Sequence, residues 1–258
     1  MNSRQLSIGR IRMVHFVSLI VFVLFIVSCT SNKEQVTEAN SINEEGSTVP
    51  AAADWISLFN GSTADGWRGF NQEKLPQGWV VEDGTLKSLG QGGDIGGDII
   101  YGAMEFEDFE LYMEWKISKG GNSGIFYHVV EGKQFKAPYE NAPEYQLLDD
   151  IDFPEEVEDW QQLASDYAMY PADPQKKLVK KAGEWNTSRI VFQKNKVEYW
   201  LNGQKVVQFV PWSDDWNERR NAGKWENMPE YGKAKKGYIG LQDHGSFIWF
   251  KNIKIRKL

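Results

Sequence analysis

Residues 109–117, Phe-Glu-Leu-Tyr-Met-Glu-Trp-Lys-Ile, alternate without a break between apolar and polar side chains. A period of two marks an extended strand with one dry face. It assigns Phe109, Leu111, Met113, Trp115 and Ile117 to a core and Glu110, Tyr112, Glu114 and Lys116 to the opposite face. A helix would scatter the same residues around its axis. Further strand signals follow the same logic. Trp79–Leu89 predicts a hairpin turning at Asp83-Gly84, and 197–207 a second turning at Asn202-Gly203, because such pairs accept the positive φ angles of a type I′ turn. Arg189–Gln193 precedes the second hairpin across a short turn at Lys194-Asn195. Tyr238–Gln242 and Phe247–Ile255 close the chain, and the apolar phase slips between Phe250 and Ile253, which predicts a bulge near Asn252.

Helix signals are scarce. Pro154, Val157, Trp160 and Leu163 predict a short amphipathic turn or two. Segments 131–143, 150–184 and 212–235 are long, polar and dotted with Trp and Tyr, and insertions of that kind between strands commonly form functional rims. The expected architecture is all-β: two packed antiparallel sheets with decorated loops at one end.

The sequence has 258 residues and a net charge of −7, which argues against a nucleic-acid partner because phosphate binding needs a basic surface. Its one cysteine excludes an internal disulfide framework and a Cys-based zinc site. That cysteine, Cys29, follows basic Arg10, Arg12 and His15, the apolar run 16–27 and Ser28, a layout that resembles a bacterial lipoprotein signal. On this reading 1–28 is a signal peptide and Cys29 is lipidated, which places the protein in the cell envelope, held to a membrane by acyl chains. Residues 29–53 are polar without apolar period and read as a flexible linker; 54–258 form the folded domain.

Three stretches place polar groups where a strand is usually bland. In Glu114–His128, Lys116 shares a face with Glu114, the Gly-Gly-Asn-Ser-Gly link turns the backbone so that Asn122 points at a ligand, and His128 shares a face with Phe126. In Pro143–Asp150, Glu144 and Gln146 project to one face, and Tyr145, Leu147 and Asp149 to the other. A carboxylate beside an amide can move a proton and fix a sugar hydroxyl. In Gln242-Asp-His-Gly245, His244 ends an apolar strand, and an imidazole beside a cleft carboxylate is an acid/base pair. His128, His244 and Glu144 are also an alternative ligand set for a divalent metal, although no spacing specifies one and no cofactor is certain. The bland alternatives are a solvated strand pair, a turn asparagine, an edge strand and a hydrogen-bonded turn histidine. Eight tryptophans at loops or strand ends could stack on sugar rings or simply pack. No Glu-x-Asp-x-x-Glu and no Gly-x-Ser-x-Gly occurs, which removes two familiar hydrolase signatures.

Taken in order, Trp55-Ile-Ser-Leu-Phe-Asn-Gly61, Gly78-Trp-Val-Val-Glu-Asp-Gly-Thr-Leu86, Glu144-Tyr-Gln-Leu-Leu-Asp149, Gly183-Glu-Trp-Asn186, Trp200-Leu-Asn-Gly203 and Gly240-Leu-Gln-Asp-His-Gly245 resemble the 3-keto-disaccharide hydrolase domain family, also described as 3-keto-glucoside 1,2-lyase/3-keto-2-hydroxy-glucal hydratase. The likeness spans 54–258. It implies a concanavalin-A-like jelly-roll sandwich and an oxidised 3-keto disaccharide or glucoside as substrate. In such a substrate the C3 ketone acidifies the C2 hydrogen. A base removes it, the C1 substituent leaves, and water adds back. For that chemistry Glu144 and His244 are the expected catalytic pair, with Lys116, Asn122, His128 and Gln146 as substrate contacts and Lys116 or a metal at the enolate oxygen. A non-catalytic carbohydrate-binding sandwich and an ordinary glycoside hydrolase are the alternatives.

Overall fold

The computed structural model describes residues 54–92 and 97–258. The expected signal, Cys29 and most of the linker lie outside these residues. No helix among the described residues is long and apolar enough to cross a membrane.

Thirteen strands are described: β1 (Ile56–Ser57), β2 (Trp67–Gly69), β3 (Trp79–Glu82), β4 (Thr85–Leu89), β5 (Ile99–Tyr101), β6 (Phe109–Ile117), β7 (Asn122–Val129), β8 (Glu144–Leu148), β9 (Asn186–Gln193), β10 (Lys196–Leu201), β11 (Gln204–Phe209), β12 (Tyr238–Leu241) and β13 (Phe247–Lys257). They form two antiparallel sheets. The larger runs β11-β10-β9-β6-β13-β4-β3, with β1 also on β13; the smaller runs β2-β5-β12-β7-β8. These are the two packed antiparallel sheets that the alternating pattern called for, arranged as the jelly-roll sandwich that the family resemblance implied.

The central strand β6 turns Phe109, Leu111, Met113, Trp115 and Ile117 inward, each 3% exposed or less. They meet Ile125, Tyr127, Tyr145 and Leu147 from the smaller sheet in one core. Full burial of each such side chain contributes about 1.5–3 kcal/mol, so this interlayer dominates the hydrophobic stabilisation. On β13 the register shifts between Lys251 and Lys254, and Asn252 takes φ 50°. That bulge lets Ile248 and Phe250 and then Ile253 and Ile255 all face inward, as the phase slip requires. Both Asx-Gly turns are present, with Asp83 and Gly84 at φ 49° and 73° and Asn202 and Gly203 at 48° and 82°.

One local expectation is narrowed, and one helix lies where none was expected. Of the one or two amphipathic turns expected over 154–163, a single 3₁₀ turn forms at Asp159–Gln161, closed by a capping box between Glu158 and Gln161 and with none of its three residues buried. The α-helix of the described residues, α1, is Asp214–Asn221. Its side chains carry almost no apolar stripe; only Trp216 is buried. Its ends are instead specified by charge and capping: Ser213 accepts the Trp216 N–H, Asp214 and Asp215 open the first turn, and Arg219 and Arg220 close the last.

Candidate active site

Strands β7 and β8 pair with Gly124 opposite Gln146 and Phe126 opposite Glu144. Alternation sends Tyr145 and Leu147 into the core and leaves Glu144 and Gln146 on the outer face of the smaller sheet. Glycine at 124 makes this possible, because a Cβ there would lie 2.1 Å from Glu144 Oε1. Beyond β8 the chain adds a further rung: Gln146 N–H donates to Ser165 O (3.0 Å), and Tyr167 N–H to Glu144 O (3.0 Å). β8 is therefore no edge strand, and Tyr167 is carried beside Glu144.

A cavity of about 440 Å³ opens above this face. Asn122, Glu144 and Gln146 line its floor, Gln242 and His244 enter from the end of β12, and Tyr139, Tyr167, Lys224 and Met228 wall it. Each of the three long polar segments thus contributes to the rim. Gln146 Nε2 donates to Gln161 O (3.0 Å) and leans on Asn122 Oδ1 (3.4 Å), which fixes the amide in place. Gly120, at φ 63°, makes the preceding turn, whereas Asn122 is already the first residue of β7. Lys224 holds its Nζ 4.1 Å from the centre of the Tyr167 ring and 5.1 Å from that of Trp225. Trp225 in turn stacks on Tyr231 and donates to Tyr167 O.

Glu144 is 4% exposed. Burial pushes its carboxyl up to about 8, opposed by the Lys224 charge and reinforced by Asp98 and Asp166. Asp166 lies behind β8, where its Oδ1 accepts the Tyr199 hydroxyl at 2.9 Å. Burial raises it to about 8 as well, against that hydrogen bond. Asp98, also near the cavity, is raised to about 7 by burial; the Asp243 N–H opposes the shift and the Asp243 charge adds to it. Three carboxyl groups thus sit where burial makes charge costly, and the Lys224 ammonium group offsets that cost at one of them, Glu144. Such perturbed groups in a cleft mark functional sites.

The structure gathers Glu144, His244, Asn122 and Gln146 from the expected set and separates the other two. His128 is turned away from Phe126 by a bulge: β12 residues Tyr238 and Gly240 pair with Val129 and Phe126, and His128 takes φ 55°. Its ring drops into the core, 4.3 Å from that of Phe192, and Nε2 reaches Glu107 O at 2.8 Å. Burial lowers its pKa to about 4, so it is a neutral core imidazole and no substrate contact. The alternative metal set of His128, His244 and Glu144 is accordingly not assembled, and among the described residues no group of three His, Cys, Asp or Glu is placed to hold an ion. Lys116 stands on the outer face of the larger sheet between Trp185 and Trp249, at 5.2 and 4.8 Å from their centres. The cation of the cavity is Lys224, which no strand pattern singles out.

A model of the 3-keto-alpha-glucoside-1,2-lyase-like domain matches residues 54–256. The chain belongs to this family. It is 37% identical to the 3-keto-disaccharide hydrolase of Bacteroides thetaiotaomicron, across 90% of this chain and 94% of that protein. The family member also shares its fold with two crystal structures described as candidate glycosyl hydrolases from Parabacteroides distasonis. One is 43% identical with a TM-score of 0.73, covering 79% of this chain and 94% of that one. The other is 30% identical with a TM-score of 0.60, covering 80% and 100%.

Proposed function

We propose that the protein is a carbohydrate hydrolase that cleaves 3-keto-glycosides by elimination and rehydration. The observation that carries this reading is the Glu144 carboxyl, buried at the floor of an open polar cavity that Lys224 and His244 also line. Family membership and the name of the Bacteroides thetaiotaomicron relative support the substrate class.

The residues divide the work as follows. His244 takes the C2 proton of the oxidised sugar; the electrons delocalise onto the C3 oxygen as an enolate, which Lys224 stabilises. The electrons then return to form the C1–C2 double bond as the C1–O bond breaks. Glu144, held protonated by burial at neutral pH, gives its proton to the departing oxygen. Water then adds its hydroxyl to C1 and a proton returns to C2, so the sum is hydrolysis. Asn122 and Gln146 hold ring hydroxyls. Turnover of methyl 3-keto-glucoside in heavy water tests the route: deuterium enters C2 of the released sugar. Product without C2 deuterium refutes it.

The envelope location belongs to the same proposal and rests on the sequence around Cys29. In a bacterial host, radiolabelled fatty acid marks the wild-type chain and spares Cys29→Ser; equal labelling contradicts the anchor.

A further inference from the structure

A second cavity, of about 480 Å³, adjoins the one above Glu144 and shares Tyr139, Gln242 and His244 with it. Both volumes fall within the range of about 300–1,000 Å³ typical of small-molecule sites. The second is lined by Asp98 and Asp243, with Gln72 and Lys136 at its exposed rim. Asp98 Oδ1 accepts the Asp243 N–H at 2.9 Å, and Asp243 Oδ1 accepts the Gly245 N–H at 3.1 Å, so the backbone fixes both carboxyl groups. Asp243 is 5% exposed and Gln242 7% exposed, yet Asp243 Oδ2 and Gln242 Oε1 have no hydrogen-bond partner among the described residues. A buried acceptor left unsatisfied has given up its hydrogen bond to water without replacement, so these atoms await donors.

The chemistry of the wall selects the ligand. An anion would meet two carboxyl groups. An apolar group would seal the acceptors away from water. A divalent cation would find only these two anionic ligands, since no third His, Cys, Asp or Glu among the described residues joins them. A neutral polyol supplies several O–H donors in different directions and asks for no countercharge. Phe70 and Pro138 add apolar surface to the same wall, and the Tyr139 ring, 36% exposed, stands between the two cavities. Such surfaces suit the C–H faces of a pyranose.

We infer that this second cavity is the subsite for the leaving sugar of a disaccharide, with Asp98, Asp243 and Gln242 accepting its hydroxyls. The inference rests on the proposed function in placing the oxidised ring over Glu144. The scissile oxygen then lies at the shared boundary, where Gln242 and His244 border both rings.

Kinetics with two substrates test the subsite: a 3-keto-disaccharide, and methyl 3-keto-glucoside, which has no second ring. In Asp243→Asn the ratio of kcat/KM for the disaccharide to that for the methyl glycoside falls about tenfold, chiefly through KM. Gln72→Ala, an exposed change, moves the ratio the same way by about twofold. Equal losses on both substrates, or none, overturn the subsite. Should the wild type turn over neither substrate, the reaction fails while calorimetry with unoxidised D-glucose still decides the cavity. Binding that weakens about tenfold in Asp243→Asn upholds it, and no binding to the wild type overturns it. Calcium uptake by the wild type that Asp243→Asn abolishes, without glucose binding, overturns it in favour of a cation site.

Discussion

The two outer faces of the sandwich carry the same kinds of side chain and put them to different use. On the larger sheet, Lys116 lies between Trp185 and Trp249, Lys251 over Trp185, and Arg189 over Trp200. Glu110 receives both Arg189 and Arg256, and Glu114 receives Asn252 and Lys251. Every one of these charges has a partner, and most remain in contact with water. On the smaller sheet, loops from three segments cover the face. There Glu144 is enclosed with Lys224 as the cation that bears on its ionisation, and Asp243 Oδ2 is buried with no hydrogen-bond partner among the described residues. Polar residues on a strand therefore do not make a site by themselves. A site arises where a cover removes water and leaves polar groups unmatched.

The sharpest way to break this comparison is to remove one group from each face. Glu144→Gln lowers kcat on a 3-keto-glucoside by about 10²-fold or more, while Lys116→Ala changes it less than about twofold. Both variants keep the wild-type circular dichroism. Comparable losses in the two would erase the distinction between the faces.

Next in size is the effect of the cavity cation. Lys224→Ala lowers kcat by about 10²-fold, as expected for one lost enolate-stabilising charge. Because Lys224 holds the Glu144 pKa down against burial, the same variant moves the Glu144 ionisation to higher pH. The basic limb of the pH–rate profile shifts upward with it. An unmoved or downward-shifted limb would separate Lys224 from Glu144.

The smallest effect concerns stability. Asp166 is raised from 3.8 to about 8 in the folded chain. Its neutral form is thus favoured on folding, a contribution present below the unfolded value and lost as pH rises through about 8. Asp166→Asn stays neutral throughout, so its melting temperature improves relative to wild type between pH 5 and pH 8, by about 2–4 °C for each kcal/mol relieved. His128 acts in the opposite window: its folded pKa of about 4 lies below 6.5, so its contribution is present above 6.5 and is lost as pH falls through 4. A pH-independent difference between Asp166→Asn and wild type would mean that Asp166 is already ionised.

Much of the frame was legible in the residues. The alternation of β6, the two Asx-Gly turns and the phase slip at Asn252 each encode a backbone geometry within a few neighbours, and each is present. Glu144 and Gln146 were legible for the same reason, since a strand with Tyr145 and Leu147 inward must turn its alternate residues outward. His128 was misplaced because the bulge opposite Tyr238 and Gly240 is set by pairing between distant strands, which reverses the local alternation. Helix α1 was missed because caps and charges define it where an apolar stripe is absent.

The sequence by itself determined which faces of the strands are dry, where the chain turns, and that a carboxyl and an amide share the outward side of one strand. Those are short-range consequences of side-chain period and backbone sterics. Only the tertiary structure decided that Lys224 is the cation beside Glu144, that Lys116 serves the far face, and that Asp98 and Asp243 meet in a neighbouring hollow. Loops separated by tens of residues bring these groups together, and burial sets their protonation. Neither is written in any local run of the chain.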